Sequence, residues 1–255
     1  MRSGWLVAVS VLVFAVQAVL VLTNSNPLIL GIAGDGLSVV LALAAAIGCF
    51  MAWSKLQRTF YTERKGWLFS FVAFLLFAVA DGVWAYFEFV NPRVAVFLVP
   101  QLLWTAGYLL WIAGLGHFLG ARFFPSKVPV VAVLGIAGLL AVFHAYAPLI
   151  EFIHTGNLLS FLNALYVSYD YVLLGIVLLL IGPFVLHHTR LSTWMLVGFA
   201  IIARILFDFI LVNSQGYWAG HPAVLLYSGT YLLCLLGAHA KSKSLIPAVR
   251  KWLSR

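Results

Sequence analysis

Long apolar stretches separated by short polar breaks set the plan of this chain. A helix crosses the hydrocarbon core of a bilayer with roughly 20 apolar residues, and eight stretches reach that length: about 5–22, 28–53, 67–90, 95–118, 128–148, 161–186, 192–212 and 221–239. The first run continues past Ala18, the only plausible cleavage point, so it reads as a retained helix rather than a signal peptide. The polar turn Thr23-Asn24-Ser25-Asn26-Pro27 closes it, and Gly31, Gly34 and Gly36 around Asp35 weaken the start of the second helix. Pro100 predicts a kink in the fourth. The fold class expected is an all-α membrane protein of eight spans.

Composition and charge then fix the surroundings and the orientation. With 64% hydrophobic and 9% charged residues and a mean hydropathy of +1.07, no water-facing surface can be built, which excludes a soluble domain. Every Lys and Arg except Arg93 and Arg204 falls before the first helix, between alternate helices or in the tail. By the positive-inside rule both termini are cytoplasmic, and the protein belongs in a cell membrane as a multi-pass chain. The net charge of +8 is a consequence of this topology, so the partner expected is the lipid bilayer and not nucleic acid.

The pattern also repeats. WLFSFVAFLLFAVAD, Trp67 to Asp81, and WMLVGFAIIARILFD, Trp194 to Asp208, align without a gap. Ala106-Gly107-Tyr108-Leu109-Leu110 is echoed by Gly229-Thr230-Tyr231-Leu232-Leu233, and Asp35 to Gly48 more loosely by Asp170 to Gly182. Residues 1–120 and 121–240 therefore read as two four-helix repeats, with 241–255 a basic cytoplasmic tail. Each repeat starts in the cytoplasm, so the two run parallel.

Acids inside spanning segments are costly and mark functional candidates. Asp81, Trp84 and Glu88 share one helical face, as do Asn163, Tyr166 and Asp170. Arg204 and Asp208, one turn apart, are expected to pair, because an unpaired guanidinium in hydrocarbon is very expensive. Phe77 takes the place of Arg204 in the first repeat, which leaves Asp81 to be protonated, paired with Arg204 across the repeats, or occupied by a cation. Asp35 reads equally as a helix-start carboxylate facing the dipole or as part of a site. Every acid but Glu63 lies in the outer half of the membrane, which predicts an outward-opening polar chamber. The candidate ligand- or ion-binding set is Asp81, Asp208 and Arg204, surrounded by Asp35, Asp170 and Glu88, with Tyr108 and Tyr231 at matched repeat positions.

Other chemistry is poorly supplied. Glu151 and His154 have a spacing that binds metal from one helix, and with His221 they form a weak metal candidate beside the commoner reading of solvated interfacial groups. No histidine pair for a haem, no lysine in helix seven for a Schiff base, no phosphate loop and no serine-nucleophile motif is present, so no cofactor is expected. Cys49 and Cys234 read as small core residues, and Trp104 as interface belt or packing.

Asp81, Trp84, Glu88 and Pro92, followed by Ala106 to Gly116, AGYLLWIAGLG, resemble the multi-pass N-terminal sensory region of archaeal and bacterial histidine kinases, over helices three and four and less clearly seven and eight. The sequence departs from that pattern where an acid often precedes the glycine-tyrosine run, since Gln101 stands nearest, and in having no kinase domain after the helices. The resemblance implies a sensor working through a separate cytoplasmic partner. From the residues, the leading expectation is a transporter whose acidic site takes a proton, cation or small polar ligand. An intramembrane enzyme on lipid, with paired aspartates as acid and base, is the third reading, and a homo-oligomer is compatible with all of them.

Overall fold

In a computed structural model, residues 3–56, 61–90, 98–119, 128–187, 193–213 and 220–253 are described. Among them are eight helices: α1 (Ser3–Thr23), α2 (Pro27–Lys55), α3 (Tyr61–Val90), α4 (Leu98–Leu119), α5 (Val128–Thr155), α6 (Leu158–His187), α7 (Thr193–Asn213) and α8 (Val224–Leu253). Seven of them, α1 to α7, are long and apolar enough to cross a membrane. The apolar stretch of α8 is diluted by Tyr227, Ser228, Thr230 and Tyr231, all buried. The outer surface is correspondingly greasy: Leu139 and Phe143 of α5 are 73% and 76% exposed, a face suited to acyl chains and not to water. The architecture is that of a polytopic, all-helical membrane protein.

Helix ends differ from the sequence reading where polar residues extend a helix beyond its apolar run. α3 begins at Tyr61, α5 reaches Thr155, and α8 continues into the basic tail as far as Leu253, so residues 241–253 prolong a helix rather than forming a separate segment. Pro100 falls in the first turn of α4. There its missing N–H has no intrahelical partner to lose, and the expected kink does not arise from it. Arg93, Pro92, Arg122, Lys127 and Arg190, which bear on the orientation and the resemblance, lie outside the described residues.

Six helices close a ring in the order α2, α3, α4, α6, α7, α8, with α8 returning to α2; α1 packs outside on α2 and α8, and α5 outside on α6. Small residues permit the close crossings. Ala42, Ala45, Ala46 and Cys49 form a buried stripe on α2, and a Cβ at Gly48 would sit 2.6 Å from Leu235 of α8. Gly66 and Gly114 meet where α3 crosses α4: a Cβ on either would approach the other's carbonyl oxygen to 2.8 or 2.9 Å. Toward the end of the bundle that holds Lys55, the ring is filled by aromatics. Trp67 stacks on Trp194 at 6.2 Å between ring centroids, and Phe118 packs on both at 5.1 and 4.7 Å. Beside them Lys241 Nζ meets Glu63 at 2.6 Å, an ion pair that ties α8 to the start of α3. The opposite end of the ring is left partly unfilled.

Candidate functional site

The site grows from the interrupted start of α2. Pro27 opens the helix, and the Asn26 side chain accepts from the backbone N–H of Leu28. Between Ile32 and Gly36 the helix widens into a π turn that contains Asp35, a local irregularity that often accompanies functional sites. Gln17 of α1, fully buried, donates to the Gly34 carbonyl and to Ser38 Oγ, each at 3.2 Å; Ser38 in turn bonds the Gly34 carbonyl at 2.5 Å and Ser228 of α8 at 2.8 Å. These bonds hold the wide turn against α1 and α8. Asp35 lies within the helix and is only 6% exposed, so the alternative of a helix-start carboxylate at the interface is corrected: the helix starts two turns earlier, at Pro27.

Asp81 projects from the second half of α3 and is 4% exposed. Its Oδ1 accepts from Tyr227 at 2.5 Å and from the indole of Trp104 at 2.8 Å, while Tyr231 stands 3.0 Å from Oδ2 and 2.7 Å from the Tyr227 oxygen. Tyr231 has a single proton, which serves one acceptor or the other. The partners of Asp81 are thus neutral donors, two phenols of α8 and an indole of α4, where the sequence points to a proton, Arg204 or a cation. Trp104, read as belt or packing, is a ligand of this carboxyl.

The second carboxyl is held in the mirror fashion. Asp208 of α7 accepts from Tyr108 of α4 at 2.5 Å and from Arg204 Nε at 3.1 Å, both on Oδ2, and Arg204 also donates to the Tyr108 oxygen. The expected Arg204–Asp208 pair is present. The guanidinium carbon lies over the rings of Tyr227, Tyr108, Phe207 and Phe77 at 4.4, 4.8, 5.6 and 5.8 Å, so aromatic faces replace much of the water a cation loses on burial. Asp81 is bonded by tyrosines of the chain's second half and Asp208 by the tyrosine of its first half.

Between these clusters lies a cavity of about 190 Å³. Asp35, Asp81, Asp170, Asp208 and Arg204 all line it, with Gln101, Asn163 and the aromatic residues Trp84, Trp104, Tyr166, Phe207 and Tyr227. Asp170 of α6 is within hydrogen-bonding reach of Asp208, and its Oδ1 is buried without a hydrogen-bond partner. Tyr166 of α6 donates to the Gln101 side chain at 2.5 Å, tying α6 to α4 at the chamber's edge. Tyr108 and Tyr231 are buried behind their carboxyls rather than at the cavity wall. Four carboxyl groups therefore share one space with a single guanidinium.

Glu88 is not part of this space. It is exposed and accepts from the Trp84 indole at 3.1 Å, bracing a cavity residue from outside. The metal candidates are not brought together either: Glu151 and His154 are exposed on α5, the His221 ring accepts from the Ala223 backbone at 3.1 Å, and among the described residues no three Asp, Glu, His or Cys side chains gather closely enough for a metal ion. Ser38, Phe207 and Tyr227 also line the site, and Gln17 braces it, without a motif that marks them in the sequence. The lone amide side chain in a first span that is apolar apart from Ser10 was the available signal for Gln17; Tyr227, one turn before Tyr231, was the signal for the phenol pair. No family model, curated protein or solved structure matches the chain.

Proposed function

We propose that this chain is a cell-membrane protein of eight spans, with both termini cytoplasmic, whose outward-opening acidic chamber binds a proton, cation or small polar ligand for transport. The observation that carries the reading is the excess of acid in one space: Asp35, Asp81, Asp170 and Asp208 line one cavity, and the one guanidinium there is already engaged by Asp208. Carboxyls at such a place are retained at a cost in stability, and a cation repays that cost when it enters.

The two-repeat organisation is part of the same proposal. It is supported by the reciprocal bonds from Tyr231 to Asp81 and from Tyr108 to Asp208. The stack of Trp67 on Trp194, residues at matched repeat positions, also supports it. So does the helix ring, whose order maps onto itself when α1 to α4 exchange with α5 to α8. A parallel repeat with its site at the interface is a common transporter plan.

Proteoliposomes loaded with the pH dye pyranine and diluted into Na⁺, K⁺ or choline chloride test the transport reading. The wild type gives a cation-dependent pH change, and Asp81→Asn removes it while keeping the melting temperature. Silence of the wild type with every cation refutes proton-coupled cation transport.

A sensor is the second reading, favoured by one feature: α8 carries Tyr227 at the chamber wall and Tyr231 just behind Asp81, and runs as one helix to Leu253. A ligand that moved those phenols would move the basic end of the same rod. Ligand binding without flux, together with ligand-dependent crosslinking of Lys243→Cys to a cytoplasmic protein, selects this reading over transport.

A further inference from the structure

We infer that the chamber takes a small organic ammonium cation. The inference rests on the chamber being a cation site and adds the chemical class.

A hard metal ion replaces its hydration shell with about six to eight oxygen ligands at close range. Here the carboxyls are spread around the wall, and no three metal-binding side chains among the described residues converge on a point. Aromatic surface lies between them. Trp104 and Tyr227 have committed their N–H and O–H to Asp81, so what they offer a ligand is ring surface. Trp84, Tyr166 and Phe207 extend that surface around the cavity.

Ring faces combined with dispersed negative charge suit a cation whose charge is spread over a carbon-clad body. The protein already solvates one such ion in this way: Arg204 sits over four aromatic rings with a carboxylate at its edge. The remaining space, about 190 Å³, is well above the roughly 10–15 Å³ that one water needs, which leaves room for a compact amine. Asp170, on the cavity wall and paired with Asp208, supplies acid beside the ligand.

Full-length protein in phosphatidylglycerol nanodiscs provides the test, with intrinsic tryptophan fluorescence as the readout. Choline and tetramethylammonium are expected to give saturable changes, tetrabutylammonium to bind at least tenfold more weakly, and NaCl, KCl and CaCl₂ to give none at matched ionic strength. Asp170→Asn and Trp84→Leu each weaken choline at least tenfold; if either variant fails to fold, the wild-type ligand series decides alone. Saturation by Na⁺, K⁺ or Ca²⁺ without the organic cations overturns the ammonium class and leaves the cation site standing. Absence of binding by every cation overturns both. Repeating the titration with phosphatidylcholine in the disc identifies the source: a tenfold loss of choline affinity means that lipid headgroups compete, and an unchanged value means that free amines are the ligand. Both results keep the class.

Discussion

Arg204 and Asp208 form a buried pair whose two members cannot be judged one at a time. Arg204 is 6% exposed and Asp208 8%. Removing the guanidinium leaves a buried acid with no cation beside it, only Tyr108 and Asp170, so Arg204→Met is expected to lower unfolding stability by about 3–5 kcal/mol. The double change Arg204→Met with Asp208→Leu should recover most of that loss, since both charges leave together; a double variant as unstable as the single one would contradict this account. Around Asp81 the donors are neutral. Tyr227→Phe and Tyr231→Phe should each cost about 0.5–1.5 kcal/mol. Because the two phenols are bonded to one another at 2.7 Å, their double-mutant cycle should depart from additivity by at least about 0.5 kcal/mol.

Helix positions depend on a few places where backbones nearly touch. A methyl group on Gly114 would meet the Gly66 carbonyl at 2.9 Å and Phe69 at 3.1 Å. Because backbone cannot yield as a flexible side chain does, α3 and α4 must separate. Gly114→Ala is therefore expected to destabilise by about 1–3 kcal/mol and, since α3 carries Asp81 and α4 carries Trp104, to lengthen the bond between them. Gly135→Ala on α5 is the control, as nothing lies within 4 Å of its added carbon; it should be neutral or gain up to about 1 kcal/mol from helix propensity. Thermal melts of both variants in one detergent provide the comparison. Equal effects would mean that the crossing is not held by close contact.

Across the whole molecule the polar groups are sorted by end. The chamber occupies one end of the ring, and the Trp67, Trp194 and Phe118 cluster with the Glu63–Lys241 pair closes the other. Asn163 is exposed and lines the chamber, whereas Lys243 is exposed at the far end of α8. In intact cells Asn163→Cys is expected to react with a membrane-impermeant maleimide added outside, and Lys243→Cys only after permeabilisation. The native Cys49 and Cys234, 0% and 2% exposed, stay silent and need no replacement. The reverse labelling pattern would turn the chamber toward the cytoplasm and reject the outward reading.

The all-helical build and the approximate limits of the helices were legible because apolar run length is a one-dimensional quantity. The Arg204–Asp208 pair was legible too, since residues one turn apart on a helix meet whatever the rest of the fold does. Contacts between helices were not. Nothing in the order of residues says that Trp104 and Tyr227 converge on Asp81, that Glu88 turns away toward Trp84, or that Asp35 sits inside a widened turn braced by Gln17. Those outcomes depend on how six helices close a ring and on the small residues that set each crossing, so distances between groups remote in the chain are decided by packing alone.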